Sequence, residues 1–323
     1  MGLVAELRNQ FKEPIYLTVG KKTQQLREIK AFIYAYLRLG LPVLVSVDFG
    51  SASHLVVVTG YRKPEPDYAF SESLESIATE EDAAESEVSE DSHYTEDGLA
   101  TVESTEARYI ARYSDGITRL YVHDDGVGPY SRFGFDEERG LVITGWPDDD
   151  EDDGKERAHL FELIAPLSAD IRISHEQIYT QVTKFYDLFD HFKPAYATPE
   201  DTAPVVWDIY LHYSSIHKQE ILDSTAGTVI QRQRVATRLL PKYVWIARAL
   251  FEGQPLVEFI FDATDLHTGF YCLLTTTYEP LRSVLEADFN RETYATVDIL
   301  TDQGITRYLK LFQDDLGLPI IEL

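Results

Sequence analysis

A long acidic segment, residues 63–106, constrains the fold of this chain more than any other feature. Its larger part, residues 71–106, holds 13 Asp or Glu residues and no Lys or Arg, and large apolar side chains are few throughout. A segment of this composition cannot bury enough apolar surface to offset the entropy that it loses on ordering. We therefore expect it to be disordered, with the ordered core built from the sequence on either side.

The sequence on the two sides of this segment predicts a single domain. Before it, apolar residues at three- and four-residue steps predict a helix over 24–39, and two β-branched runs at 41–47 and 54–61 predict buried strands. After it, residues 108–113 and 117–123 flank a Ser-Asp-Gly turn and predict a β-hairpin. The acidic segment is therefore interpreted as an insertion between two strands of one domain.

A second acidic run, residues 148–153, predicts a domain boundary. We place a first domain at 1–146, an acidic linker at 147–157 and an α+β domain at 158–323. The elements expected in the C-terminal domain are a strand at 160–164, a helix opened by a capping box from Ser174 to Gln177, a helix at 204–222, a hairpin of 243–251 with 256–263, and a strand at 270–277. The predicted fold class is α+β with a largely antiparallel sheet.

Composition and charge disfavour several classes of function. The net charge is −26, and no basic patch of the kind that a phosphate backbone requires is present, so nucleic-acid binding is disfavoured. The sequence lacks a run of about 18 apolar residues, so no membrane span is predicted. The single cysteine, Cys272, excludes an intrachain disulfide and a thiolate zinc site, and it favours a reducing cytoplasm.

Three motifs within residues 30–130 stand in the order of a peptidase scaffold. They are YLRLGLPVLVSV at the end of a helix, HLVVVTGY starting at His54, and RLYVHDDGVGPY, which contains Asp124. This order resembles the papain-like cysteine peptidases, especially the bacterial domains that remove double-glycine leader peptides. The resemblance implies a papain-like core, a helix plus an antiparallel sheet that is incomplete at the N-terminus. It also implies that His54 is the catalytic base and that Asp124 orients it.

The chain departs from this family in its nucleophile. The family carries a cysteine on an early helix ahead of the histidine, whereas residues 1–53 contain no cysteine. Without a thiolate there is no acyl-enzyme chemistry. The resemblance therefore implies a peptidase-type protein for peptide or isopeptide bonds that is inactive as given, either because the cysteine-bearing segment is absent from this chain or because it is a pseudoenzyme.

Two alternatives to a peptidase remain open from the sequence. One is a non-catalytic module that holds a peptide or protein in its cleft, and the other is a regulatory subunit of an enzyme on another chain. A scaffold that lacks one helix also exposes apolar surface, which predicts self-association or a partner chain. Neither interpretation requires a cofactor.

Other candidate groups near the motifs have simpler interpretations. Asp125 is the alternative partner of His54. A metal site at the triplet His123, Asp124 and Asp125 is disfavoured, because side chains of successive strand residues point to opposite faces. Cys272 lies in the apolar run FYCLLTTTYE and is expected to be a core residue instead of a nucleophile.

Overall fold

Two β-sheets carry the fold of the residues that the computed structural model describes. These residues are 22–50, 52–62, 110–147, 154–183, 193–197, 203–264, 272–279 and 281–283. The predicted disorder of 63–106 and the acidic run 148–153 lie outside them.

The first sheet is a closed antiparallel barrel of six strands. Its strands are β1 (Val43–Asp48), β2 (Ser53–Tyr61), β4 (Leu120–Asp124), β5 (Gly128–Asp136), β6 (Leu141–Pro147) and β7 (Lys155–Ile164). They pair in this order, and β7 closes the barrel by pairing with β1. Alternate residues of β1, namely Val43, Val45 and Val47, are fully buried, as the period-two geometry of a strand requires.

The second sheet has five strands in the order β11-β10-β9-β8-β3. They are β3 (Ala111–Arg112), β8 (Val206–Tyr213), β9 (Tyr243–Phe251), β10 (Gln254–Asp262) and β11 (Cys272–Thr277). The helices are α1 (Lys22–Leu37), α2 (His175–Thr183), α3 (Lys193–Tyr196), α4 (Ser214–Asp223) and α5 (Val229–Thr237). Among the described residues, none of the helices has the length and apolar character needed to cross a membrane.

Helix α1 connects the two sheets. It contacts β1 and β2 of the barrel and β8 of the second sheet, and residues 29–36 are buried on all sides. Two polar groups extend from it: Arg27 pairs with Asp115, and the Tyr34 hydroxyl donates to Asp208 on β8. The apolar residues of the helix and of both sheets belong to one continuous core.

Several local predictions are confirmed. The helix predicted at 24–39, the strands at 41–47 and 54–61 and the hairpin at 243–263 correspond to α1, β1, β2 and the β9–β10 pair. The capping box also forms, because Ser174 Oγ accepts from the Gln177 amide at 3.3 Å and Gln177 Oε1 accepts from the Ser174 amide at 2.8 Å. These elements have strong local signals in the sequence.

The predicted papain-like core is wrong, because the antiparallel strands close into a barrel and strands dominate the fold. Residues 128–147, where β5 and β6 lie, were not predicted to form strands. In β5 only Phe133 is buried, so the strand has almost no apolar alternation for a sequence pattern to detect.

The predicted hairpin of 108–113 with 117–123 is also wrong. Strand β3 belongs to the second sheet, where it pairs in parallel with β8. Tyr113–Gly116 then form a 3-10 turn that leads into β4 of the barrel. The turn is fixed by Asp115, whose carboxylate accepts from the Arg112 amide at 2.8 Å and pairs with Arg27. A hairpin signal in the sequence does not show that its two arms belong to different sheets.

The helix predicted at 204–222 exists only in its second half. Val206–Tyr213 form β8, and α4 begins at Ser214. Seven of the eight β8 residues are buried, because the strand is central in its sheet and covered on both faces. A continuous apolar run of this kind has the same appearance as one buried helix in a sequence.

The predicted domain boundary at 147–157 stays a prediction. Strand β7 begins inside it at Lys155 and pairs with both β1 and β6. The residues that follow the acidic run therefore contribute a strand to the barrel.

Candidate functional site

His54 lies near the start of β2, opposite Val47 of β1. Its imidazole packs edge-on against the indole of Trp146 at the end of β6, with ring centroids 5.2 Å apart and an interplanar angle of 90°. The side chain is 30% exposed. A ring held on one side by an indole and open on the other is positioned for contact with a ligand.

Asp124 is the last residue of β4, and its side chain is fully buried. Its Oδ1 accepts hydrogen bonds from the backbone amides of Gly126 at 2.7 Å and Val127 at 3.2 Å. The absence of a side chain at Gly126 allows this approach, since a Cβ there would lie 3.3 Å from Asp124 Oδ1 and 3.2 Å from Trp146 Nε1. The turn therefore holds the carboxylate in one orientation, while Oδ2 is buried and accepts no hydrogen bond.

Asp125, the next residue, turns back toward the same histidine. His54 Nε2 lies 3.0 Å from Asp125 Oδ1 and 3.4 Å from Asp124 Oδ1. Although these distances are short, no described residue makes a hydrogen bond of regular geometry to the buried Nε2 atom. The potential ligand atoms of the three residues all lie within 4.8 Å of one another. We call His54, Asp124 and Asp125 the mouth cluster.

The structure does not bring His123, Asp124 and Asp125 together around one point. His123 does point away, since its exposed ring packs on Tyr130 with centroids 5.3 Å apart. Asp125, however, lies beyond the end of β4, where strand alternation no longer applies, and both aspartates therefore reach His54. The convergence of three potential ligands, one imidazole and two carboxylates, comes from a turn and a neighbouring strand.

The barrel near the mouth cluster also exposes apolar side chains. Tyr130 has a positive φ of 68°, a conformation that is strained for a residue with a side chain. Leu55 is 52% exposed, Val127 is 43% exposed and Tyr130 is 75% exposed. Because successive strand residues point to opposite faces, Leu55 lies on the other face of β2 from His54.

Cys272 lies in β11, at an edge of the other sheet. It is half-buried and packs against the core, and its sulphur is 3.5 Å from the Leu274 carbonyl and 3.7 Å from Thr275 Oγ1. These neighbours belong to its own strand. The only thiol of the chain is therefore placed as a strand residue of the second sheet.

A group of buried charges in the second sheet was missed by the sequence analysis. Glu258 on β10 has no exposed surface; its Oε1 lies 3.1 Å from His217 Nε2, and its Oε2 accepts from Arg248 Nε at 2.8 Å and also from Nη2. We call His217, Glu258 and Arg248 the buried triad. A charged residue inside an apolar strand, here the Glu of LVEFIFD, is the signal that could have identified it.

The electrostatics of this second region are strong. Burial alone would raise the pKa of Glu258, but the adjacent Arg248 and His217 outweigh it and lower that pKa to about 2. Asp208 lies in the same sheet, and burial raises the pKa of its carboxyl against the opposing effect of the Tyr34 hydrogen bond. Perturbed groups of this kind concentrate at functional sites as well as in structural ion pairs.

No protein-family model, curated protein or solved structure matches this chain.

Proposed function

We propose that the mouth of the barrel is a hydrolytic site for peptide or isopeptide bonds, in which His54 is the base and the two aspartates orient it. One observation carries the proposal: the His54 Nε2 atom is faced by two carboxylates, at 3.0 and 3.4 Å. Carboxylates that face one nitrogen of a histidine stabilise its imidazolium form, and the other nitrogen can take a proton from the attacking group. The single cysteine also makes the reducing cytoplasm the proposed compartment.

The two nitrogens of His54 have different roles in the proposed reaction. With Nε2 facing the aspartates, Nδ1 accepts the proton of the attacking group, and the carboxylates stabilise the imidazolium that forms. The attacking group is water, because the only thiol of the chain, Cys272, belongs to the second sheet. Water adds to the peptide carbonyl carbon, the C–N bond breaks, and the proton on His54 passes to the leaving amine.

The surroundings of the cluster support a peptide as the substrate. The indole of Trp146 covers one side of the His54 ring, and the His54 side chain is 30% exposed. A peptide side chain can pack on the indole while its backbone carbonyl is held near the imidazole. No basic residue belongs to the cluster, which is consistent with a neutral amide group in preference to a phosphate.

Cleavage of a defined peptide mixture, followed by mass spectrometry, tests the proposal. We expect slow cleavage by the native chain, loss of cleavage in His54→Ala and in Asp124→Asn, and retained cleavage in Cys272→Ser. His123→Ala is the matched control, since it removes a neighbouring imidazole that packs on Tyr130. Cleavage that survives in His54→Ala contradicts the proposal. Peptide binding without cleavage by the native chain shows the non-catalytic binding module instead.

A divalent metal site is a second candidate function of the same residues. The specific observation is that Nε2 of His54 faces both carboxylates without a regular hydrogen bond. Ligand atoms that each lie about 2.1 Å from one ion are roughly 3.0–3.4 Å apart in octahedral or tetrahedral geometry. The two measured separations fall in this range, and the mixed imidazole and carboxylate set suits Zn²⁺ or Mn²⁺.

Calorimetric titration with Zn²⁺ and Mn²⁺ separates the two candidates. The metal candidate predicts one ion per chain, with affinity reduced about tenfold or more in Asp125→Asn, because one ligand is lost. His123→Ala again serves as the control. Cleavage that persists after chelation and dialysis shows that His54 acts without an ion, and a native chain that binds neither ion eliminates the metal candidate.

A further inference from the structure

A second candidate site lies at the opposite end of β2 from the mouth cluster. A pocket of about 380 Å³ opens there between α1, β2, the 3-10 turn and the second sheet. Its volume is within the range of small-molecule sites. His54 and Tyr61 are seven residues apart on β2, so the two sites are roughly 20 Å from one another.

Aromatic rings form one wall of this pocket. The ring of Tyr34 lies 5.3 Å from that of Tyr61, 5.6 Å from that of Tyr113 and 6.4 Å from that of Tyr210, all measured between centroids. All four line the pocket, which we call the tyrosine pocket. Such rings offer a flat apolar surface together with hydroxyl groups at its edge, a combination that suits the body of a planar ligand.

Arg38 supplies a cation with one unpaired, buried donor. Its guanidinium lies 4.3 Å from the centroid of the Tyr210 ring, hydrogen-bonds the side chain of Tyr61 and interacts electrostatically with Asp208. Its Nε is buried and makes no hydrogen bond to any of the described residues. A buried donor without a partner has an energetic cost, which an anionic oxygen placed against it would remove.

Arg248 supplies a second, fixed cation. Its Nε and Nη2 both donate to Glu258, whose other oxygen faces His217, so the side chain is held while it lines the pocket. The acidic groups of the lining are already engaged: Asp208 accepts from Tyr34, and Glu220 lies 3.4 Å from His212. Within the described part of the lining, the donor left for a new partner is therefore the Nε of Arg38.

We propose that the tyrosine pocket binds a small planar organic anion, whose carboxylate or phosphate oxygens pair with Arg38 and whose body packs on the tyrosine rings. Guanidinium groups present planar paired donors that match both kinds of anion. Binding adds a partner for the Nε of Arg38 and covers apolar ring surface, and each effect favours the complex. This site is separate from the hydrolytic site and does not depend on it.

Titration calorimetry on the full chain with three probes tests the proposal. Benzoate and phenyl phosphate carry the two anionic groups on the same ring, and benzyl alcohol is the neutral control. We expect at least one anion to bind in one-to-one ratio, more tightly than the alcohol by about tenfold or more, since a hydrogen bond to a charged group has that effect on affinity. The anion that binds more tightly shows whether the pocket prefers a carboxylate or a phosphate.

Variants assign the binding to Arg38. Arg38→Gln should weaken binding of the anion by about tenfold or more. Arg38→Lys keeps the charge but not the paired donors, so its affinity should lie between that of Arg38→Gln and that of the native chain. Arg139→Gln is the matched control, because Arg139 is exposed on a barrel turn. The proposal is overturned if no anion binds at 10 mM (about the weakest affinity of interest), if the alcohol binds as tightly, or if Arg139→Gln weakens binding equally. Circular dichroism confirms that each variant is folded.

Discussion

The mouth cluster and the buried triad place charges in opposite environments. In the mouth cluster, Asp125 is 87% exposed and only Asp124 is fully buried, so water still screens the group. In the triad, Glu258 and His217 have no exposed surface and Arg248 is 26% exposed. Buried charges must be paired to persist, whereas exposed ones need no partner. The triad is therefore expected to support stability and the mouth cluster to serve chemistry.

The largest expected effect is on stability, from Glu258→Gln. Removing one partner of a buried ion pair leaves Arg248 without its counter-charge, and we expect the free energy of unfolding to fall by about 3–5 kcal/mol. Urea denaturation measures this change. Glu252→Gln, in the exposed turn between β9 and β10, is the matched control and should stay within about 0.5 kcal/mol of the native chain. A loss below about 1 kcal/mol for Glu258→Gln would contradict the comparison.

Lowering the pH should destabilise the protein through buried groups whose pKa is lowered by folding. Burial, assisted by the Arg112 charge, lowers the pKa of His175 from 6.5 to about 3. The unfolded chain therefore binds a proton below pH 6.5 that the folded chain does not bind until pH 3, so stability falls as the pH falls through this window, by at most about 1.4 kcal/mol per pH unit. Glu258 adds to the loss below pH 4.5, because its folded pKa is the lower one.

Urea denaturation at several pH values checks the His175 contribution. His175→Gln should show a flatter dependence of stability on pH between 6.5 and 3 than the native chain, since the substituted side chain takes up no proton. Two parallel curves would show that folding does not lower the pKa of His175 and would contradict this prediction.

Tyr34→Phe should have a smaller effect on stability. The substitution deletes the hydroxyl that donates to Asp208, and an unsatisfied buried carboxylate costs about 1–3 kcal/mol. Tyr130→Phe is the matched control, because that tyrosine is 75% exposed. Equal stability of the two variants would indicate that Asp208 finds another donor in the tyrosine pocket.

The smallest effect on stability is expected at the exposed carboxylate of the mouth cluster. Asp125→Asn should change the free energy of unfolding by less than about 0.5 kcal/mol. Asp124→Asn should cost about 1–2 kcal/mol, since the buried carboxylate accepts two backbone amides. Thermal denaturation of both variants tests this order. If Asp125→Asn lowered the free energy of unfolding more than Asp124→Asn, the mouth cluster would support stability in the same way as the triad.

The sequence predicted elements whose signals are local. The stripe of α1, the capping box at Ser174 and the turn between β9 and β10 each depend on residues a few positions apart. His54 and Asp124 were identified as a pair across the acidic insertion, and the structure brings them together at 3.4 Å, although their catalytic role stays a prediction. The family resemblance therefore selected two residues that are near one another while implying the wrong core.

What the sequence did not predict depends on distant pairing. Closure of the barrel by β7 involves residues that are far apart in the chain, and the apolar pattern of β5 is too weak to mark it as a strand. The parallel pairing of Ala111 with Val206 likewise has no local signal. The tyrosine pocket could not be predicted from the sequence, because Arg38, Asp208 and Arg248 come from separate parts of the chain that only the fold brings together.

The barrel cannot close until the ribosome has synthesised β7, its last strand. Strand β1 leaves the ribosome first, but its partner β7 follows more than a hundred residues later, as the pairing of Leu44 with Ile164 shows. At ordinary rates of translation this interval is on the order of ten seconds. For that time one edge of β1 has no neighbour, and pairings between distant residues also form slowly after synthesis. Until β7 is made, that edge can pair with another strand, including one from a second chain.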